Sequence, residues 1–128
     1  MRSNIYRVFI LLCTSIIITS CYERERNCPD FKTGKFKFEH EIDGTKQVTI
    51  FERTPELEIE NFEGKIDTST VRWINDCEYI LQKINPKNML EKKAVHMKIL
   101  ATTEKTYTFE FSIVGDNNKQ KGTVTKLD

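Results

Sequence analysis

Short segments in which apolar and polar residues alternate fill the chain from Lys32 onward. In the clearest of them, Tyr107, Phe109 and Phe111 alternate with threonine and glutamate. A period of two places every second side chain on the same face of an extended strand, so each segment predicts a strand with one apolar face. Turn-forming pairs such as Asp43-Gly44, which suit the positive φ values of a tight hairpin, separate the segments.

The number and spacing of these segments limit the fold. About eight short strands joined mostly by tight turns, with no convincing long helix, indicate an all-β domain. Consecutive hairpins favour an up-and-down meander, and closing the meander into a barrel avoids exposed sheet edges. We therefore predict a small antiparallel meander barrel of about eight strands, with an open β-sandwich as the alternative. A barrel of this size is either filled by its own side chains or holds one small ligand.

The first residues have a different character. A basic segment, MRSNIYR, precedes a run of about eleven mostly apolar residues, whereas a transmembrane helix needs roughly 20. This order is typical of a secretory signal peptide. The run ends in Ile18-Thr19-Ser20-Cys21, which resembles the lipobox of bacterial lipoproteins. The resemblance implies cleavage before Cys21 and a thioether-linked lipid on its sulfur. The alternative is an ordinary signal peptide whose cleavage site adjoins a cysteine.

A lipobox divides the chain into three parts. Residues 1–20 are then a lipoprotein signal peptide, residues 21–30 the lipidated cysteine with a polar tether, and residues 31–128 the barrel domain. Tyr22 follows the cysteine, where an aspartate would mark retention at the inner membrane of enteric bacteria. We therefore expect an outer-membrane lipoprotein of the bacterial cell envelope, attached to the membrane through its lipid anchor, with its body in the periplasm or on the cell surface.

The net charge of the mature domain argues against nucleic acid as a partner. Arg2 and Arg7 leave with the signal peptide, so 18 of the 20 basic side chains remain, against 19 acidic ones. A domain this close to neutral offers no electrostatic reason to bind nucleic acid.

Two cysteines remain in the mature domain, Cys28 and Cys77. An oxidising compartment outside the cytoplasm permits a disulfide between them. By the chain-entropy model, a bridge that encloses a loop of about 50 residues contributes roughly 4 kcal/mol. The alternatives are two free thiols or a metal site, and a metal site would need further ligands spaced nearby. We expect the disulfide.

Two resemblances to known families extend this interpretation. Gly34-Lys35-Phe36 is similar to the first-strand motif of lipocalins, in which a tryptophan stands where this chain has phenylalanine. The chain as a whole resembles small lipoproteins of Bacteroidetes, such as flavobacteria, that have no established biochemical role; the segments that carry this resemblance are ERNCPDFKTGKFKFE, FERT, VRWINDCEYIL, MKIL, YTFEFSIVG and KGTVTKL. Some members of that group are labelled DNA topoisomerase IV. This sequence does not support that label, because it has no phosphate-binding loop and no room for several large domains.

Few residues suggest chemistry. Neither His40 nor His96 has a carboxylate or cysteine partner in the local sequence. Glu56, Glu58 and Glu60 share one strand face, which we interpret as solvated, because a calcium site also needs a loop that wraps the ion. We therefore expect no catalytic residues, no metal and no cofactor, and a protein that is not an enzyme.

The aromatic residues are the best candidates for a binding surface or a core. Trp73 beside Arg72 suggests a binding hot spot if it is exposed and a barrel plug if it is buried, and we favour the plug. The aromatic residues that line a ligand pocket or fill the core are Phe36, Phe38, Trp73, Tyr107, Phe109 and Phe111.

Two functions of different classes follow. In the first, the protein is a non-catalytic module that binds a small apolar ligand inside its barrel. In the second, it is an accessory protein that contacts another envelope protein or a glycan through its surface. A hollow interior above about 300 Å³ favours the first, and a filled interior with an exposed apolar patch favours the second.

Overall fold

The computed structural model of the protein describes residues 26–128. A short 3-10 helix begins at Cys28 and ends at Phe31. Eight strands follow it: β1 (Gly34–Ile42), β2 (Thr45–Arg53), β3 (Leu57–Phe62), β4 (Lys65–Asn75), β5 (Glu78–Lys83), β6 (Val95–Thr102), β7 (Thr106–Ile113) and β8 (Gln120–Lys126). Within the described part of the chain, no helix is long and apolar enough to cross a membrane.

The eight strands form one closed sheet. Each strand pairs antiparallel with its neighbours in chain order, and β1 also pairs with β8. The predicted all-β, eight-stranded meander barrel is therefore confirmed. Because the chain reverses at every strand, its turns fall into two sets. We call the end with the β2–β3, β4–β5 and β6–β7 turns the closed end, and the opposite end, with the other four connections, the open end.

The 3-10 helix covers the closed end. Cys28 of the helix is bonded to Cys77 of the β4–β5 turn, with 5.2 Å between their Cα atoms, which confirms the predicted disulfide. The Nζ of Lys126 donates a hydrogen bond of 2.6 Å to the carbonyl oxygen of Asp30. Just before the helix, the backbone N–H of Asn27 donates to the Oγ1 of Thr102 at 2.8 Å. Cys28, Pro29 and Asp30, which lie in the segment predicted as a tether, thus belong to the helix, and three separate elements hold it in place.

The core lies between the helix and the middle of the barrel. Its buried members are Cys28, Phe31, Phe36, Phe51, Ile99, Tyr107, Phe109 and Val124. Two of its aromatic pairs meet edge to face, which is a favourable geometry: the ring centroids of Phe31 and Tyr107 are 5.3 Å apart, and those of Phe36 and Tyr107 are 5.9 Å apart. Strand β7 alternates as its sequence predicts, since Tyr107 and Phe109 are buried.

Gly122 allows β8 to pass close to these rings. A Cβ atom at this position would lie 2.8 Å from ring atoms of both Phe38 and Phe109. The absence of a side chain therefore lets two large rings share the middle of the barrel.

Candidate ligand-binding cavity

The barrel is hollow between its core and its open end. The cavity measures about 400 Å³. Most of its wall is apolar or aromatic, contributed by Phe38, Phe51, Leu81, Val95, Met97, Phe109, Phe111 and Ile113. Polar groups also reach it, among them Thr49, Ser69, Glu60 and Lys83. An apolar concave wall with a few polar groups is the usual composition of a small-molecule site.

Strand β3 is oriented opposite to our prediction. Glu58 is only 4% exposed, and Glu60 lines the cavity, whereas Ile59 faces outward and is 36% exposed. The interpretation of the glutamate run as a solvated face was therefore wrong for these two residues, although Glu56 is exposed. The physical reason is the partner of Glu58: it lies directly opposite Arg53 on β2, and both side chains point inward.

Arg53 is buried and almost fully hydrogen-bonded at the inner boundary of the cavity. Its Nε donates to the Oε2 of Glu58 at 2.7 Å, and its Nη1 donates to the carbonyl oxygen of Phe31 at 2.8 Å. Its Nη2 donates to the hydroxyl oxygens of Tyr79 at 2.7 Å and Tyr107 at 3.0 Å. One guanidinium thus joins the helix and strands β2, β3, β5 and β7. Its planar fork of donors suits this kind of multiple bonding.

Aromatic rings surround the same guanidinium. Its central carbon lies 4.6 Å from the ring centroid of Tyr79 and 5.0 Å from that of Phe36. Cation–π attraction adds to the hydrogen bonds at such distances. Burial raises the pKa of the hydroxyl groups of Tyr79 and Tyr107, so both phenols stay neutral at physiological pH. The closed end of the barrel is therefore a rigid polar cluster enclosed in aromatic groups.

Glu60 differs from Glu58 in having no partner. It lies opposite Phe51 on β2 and Asp67 on β4. Among residues 26–128, no side chain or backbone group forms a hydrogen bond or ion pair with its carboxylate. Burial raises the pKa of Glu60 to about 7, and the negative charges of Glu58 and Asp67 act in the same direction, against Lys83. The cavity thus contains a carboxyl group that is half ionised near neutral pH.

Lys83 and Glu91, two further charged groups of the wall, are paired near the open end. The Nζ of Lys83 donates to Asp67 at 3.1 Å and to Glu91 at 3.3 Å. Leu90 lies beside this group in the β5–β6 connection, lines the cavity and is 61% exposed. The connection therefore contributes both apolar and charged side chains to the mouth of the cavity.

The histidines occupy different faces of the barrel. His40 lines the cavity near the open end and stacks on Phe38, with 5.0 Å between ring centroids. Its Nδ1 is buried and has no hydrogen-bond partner among the described residues. His96 pairs with Ile80 and Ser112 on the outer face of β6. In residues 26–128, no three His, Cys, Asp or Glu side chains are grouped as metal ligands.

The predicted aromatic set divides between core and cavity. Phe36 is fully buried at the closed end, and Trp73 packs against Tyr79 with ring centroids 4.4 Å apart. Neither of these two lines the cavity. The members that do are Phe38, Tyr107, Phe109 and Phe111.

Cys21, the predicted lipidation site, lies outside the described residues.

The structure adds site residues that were not predicted from the sequence. These are Arg53, Glu58 and Glu60, together with Leu81, Val95 and Met97 of the wall. The available signal was the spacing of Arg53, two residues after Phe51 and so on the same strand face, just before a run of glutamates, because an inward cation requires an inward acid.

Exposed apolar side chains surround the open end. Each of the four connections there contributes at least one, either within it or beside it: Ile42, Ile66, Met89, Leu90 and Val114. Single exposed apolar residues are common on protein surfaces, but a set around the mouth of an apolar cavity extends the apolar surface outward.

No protein-family model, curated protein or solved structure matches this chain. The cavity and its residues are therefore interpreted on their own geometry.

Proposed function

We propose that the protein is a lipid-anchored binding module of the bacterial envelope that holds a small apolar ligand inside its barrel. The observation that carries this proposal is the cavity of about 400 Å³. Pockets for small molecules measure roughly 300–1,000 Å³ and are lined mainly by apolar and aromatic groups. A barrel packed solid by its own side chains, which is the other outcome for eight strands, would leave no such space.

The two ends of the barrel have different roles in this proposal. The closed end supplies a rigid base, because Arg53 and the disulfide join several elements there. The open end supplies the entrance, and its exposed apolar side chains, such as Met89 and Leu90, give an apolar ligand a continuous path into the cavity. Binding and release therefore need no rearrangement of the core.

The lipobox supports the envelope location. Cys21 is six residues from Asn27, which is fixed to Thr102 at the closed end. A fully extended segment of that length spans at most about 20 Å. A lipid on Cys21 would hold the closed end near the membrane surface and leave the open end accessible from the water. The Cys28–Cys77 disulfide suits an oxidising compartment outside the cytoplasm.

The anchor is tested by metabolic labelling with a clickable fatty acid. The wild-type protein should be labelled and Cys21→Ser should not, because the thioether needs the thiol. Equal labelling of both proteins, or labelling of neither, would contradict the lipid anchor. Either result would have no bearing on ligand binding inside the barrel.

Ligand binding is tested by filling the cavity. Leu81 points into the cavity and Ile80, its neighbour on β5, points outward. We expect Leu81→Trp to reduce the affinity for an apolar fluorescent dye at least tenfold, because the larger ring occupies the ligand's space. Ile80→Trp is the matched control and should leave dye affinity unchanged. The measurement is a fluorescence titration of the exported chain from Tyr22 onward, without lipid, so that dye does not dissolve in acyl chains.

A second candidate function has its own observation. The outer face of the barrel has a groove in which Val48, Ile50 and Ile59 lie among the polar residues Lys35, Glu52, Asn61 and Glu63, a mixed surface that suits the docking of another envelope protein. In that case Ile59→Asp should weaken dye binding and Leu81→Trp should not. This outcome would replace the cavity with the outer surface as the site of function.

A further inference from the structure

We propose that the ligand of this cavity is an apolar amine, whose ammonium group pairs with Glu60. This inference rests on the proposed function and names the chemical class that the cavity selects. It follows from the contrast between Glu60, which has no partner among the described residues, and the other charged side chains that the strands direct inward, Arg53, Glu58, Asp67 and Lys83, which are paired with one another or with Glu91.

Glu60 is placed for contact with a ligand. It is half-buried on the inner face of β3 and lines the cavity. No group within residues 26–128 donates a hydrogen bond to it. The cavity withdraws this carboxylate partly from water, and partial desolvation of a carboxylate without a partner lowers stability. A ligand that brings a charged donor into the cavity would offset this cost.

The charge balance of the interior favours a cation over an anion. The charge of Arg53 is neutralised by Glu58 at 2.7 Å. Lys83 is shared by Asp67 and Glu91, at 3.1 and 3.3 Å. These pairs use the two inward cations of the strands, and Lys93, the other cation of the wall, is exposed in the β5–β6 connection, so the carboxylate of Glu60 has no cation paired with it among the described residues. Because like charges repel, the carboxylate of Glu60 would disfavour a ligand carboxylate in contact with it.

The wall near Glu60 also suits an ammonium group. Phe51 lies directly opposite Glu60 on β2 and faces the same cavity. An aromatic face attracts a cation within about 6 Å. An alkyl chain attached to the ammonium group would continue along the apolar wall formed by Leu81, Val95 and Ile113.

The pairing makes binding depend on pH. Burial raises the pKa of Glu60 to about 7. An ammonium group stays charged well above this pH, as lysine does. Only the ionised carboxylate attracts the ammonium group, so the apparent affinity for the amine should rise with pH. About a tenth of the carboxyl groups are ionised one pH unit below the pKa, and about nine tenths are ionised one unit above it. The apparent affinity should therefore be about tenfold higher at pH 8 than at pH 6.

Several other charged groups face the interior around Glu60. They are Glu58 on β3, Arg53 on β2, Asp67 on β4, Lys83 on β5, Glu91 and Lys93 in the β5–β6 connection, and His40 on β1. A variant of Glu60 alone therefore separates its contribution from those of these neighbours.

The test compares octylamine, octanol and octanoate by isothermal titration calorimetry on the unlipidated exported chain. We expect octylamine to bind wild type at least tenfold more tightly than octanol at pH 8, and octanoate to bind most weakly. A charge-assisted hydrogen bond in a partly buried site is of this magnitude. Glu60→Gln should remove the preference for the amine and flatten its pH dependence, while leaving octanol affinity unchanged. Glu52→Gln removes an equal charge from the outer face and should behave like wild type.

The outcomes separate this inference from the proposed function. If octanol binds wild type as tightly as octylamine does, the cavity is a binding site but the amine inference is wrong. If the amine preference or its pH dependence persists in Glu60→Gln, Glu60 is not its cause and the inference is wrong as well. If none of the three molecules binds, both the proposed function and this inference fail. The comparison in wild type needs no variant, so it stands even if Glu60→Gln does not fold.

Discussion

Replacing Arg53 with methionine is expected to lower the free energy of unfolding by about 3–5 kcal/mol, the usual cost of breaking a buried ion pair from one side. The change leaves the carboxylate of Glu58 buried without its cation. It also removes the donors that bind the hydroxyl groups of Tyr79 and Tyr107 and the carbonyl of Phe31. A small domain has a total stability of about 5–15 kcal/mol, so the variant should be close to its unfolding threshold.

The measurement is urea unfolding of wild type and variant, compared with Arg72→Met as the control. Arg72 is exposed on β4, so its replacement should change stability by no more than about 0.5 kcal/mol. Pairing Arg53→Met with Glu58→Leu should restore part of the loss, because the double variant leaves no unpaired charge in the interior. A loss below about 1 kcal/mol for Arg53→Met alone, which is what a surface ion pair contributes, would show that the cluster does not stabilise the closed end.

Removing the disulfide has the second large effect. We expect the double variant Cys28→Ser, Cys77→Ser to lose about 4 kcal/mol, because the bridge joins residues 49 positions apart and so restricts a long loop in the unfolded chain. The bridge also fixes the 3-10 helix over the closed end, so hydrogen exchange should accelerate first at Phe31 and around it.

The measurement is thermal unfolding of wild type with and without a reducing agent, and of the double variant. Reduction should lower the wild-type melting temperature to that of the variant and should not change the variant itself. An unchanged melting temperature after complete reduction of wild type would contradict the proposed contribution of the bridge.

The barrel was predictable because most strands have one strongly apolar face. In β7, Tyr107, Phe109 and Phe111 leave no alternative to an inward orientation, and the turns at Asp43-Gly44 and Glu63-Gly64 separate the strands clearly. The disulfide was predictable because only two cysteines remained once the signal peptide was set aside.

Strand β3 was not predictable in the same way. Leu57 and Ile59 suggest an apolar inner face, yet Glu58 and Glu60 point inward. The orientation of β3 depends on its pairing with β2, which places Glu58 opposite Arg53. The alternation within β3 does not determine its register against β2, and a shift of that register by one residue exchanges the two faces.

The sequence did not determine whether the barrel is hollow or filled, and the reason is different. Whether eight strands enclose space depends on how large side chains from all of them fit together. Phe36 and Trp73 pack at the closed end, whereas Phe109 and Phe111 border the cavity, although all four belong to the same class of residue. Only the three-dimensional arrangement assigns aromatic residues to the core or to the wall.

The most direct test of the binding proposal is to locate a bound apolar molecule by NMR. In the unlipidated exported chain with octanol, intermolecular NOEs should connect the alkyl chain to the methyl groups of Leu81, Val95 and Ile113, which line the cavity. NOEs confined to the methyl groups of Val48, Ile50 and Ile59, which lie in the outer groove, would contradict a ligand inside the barrel.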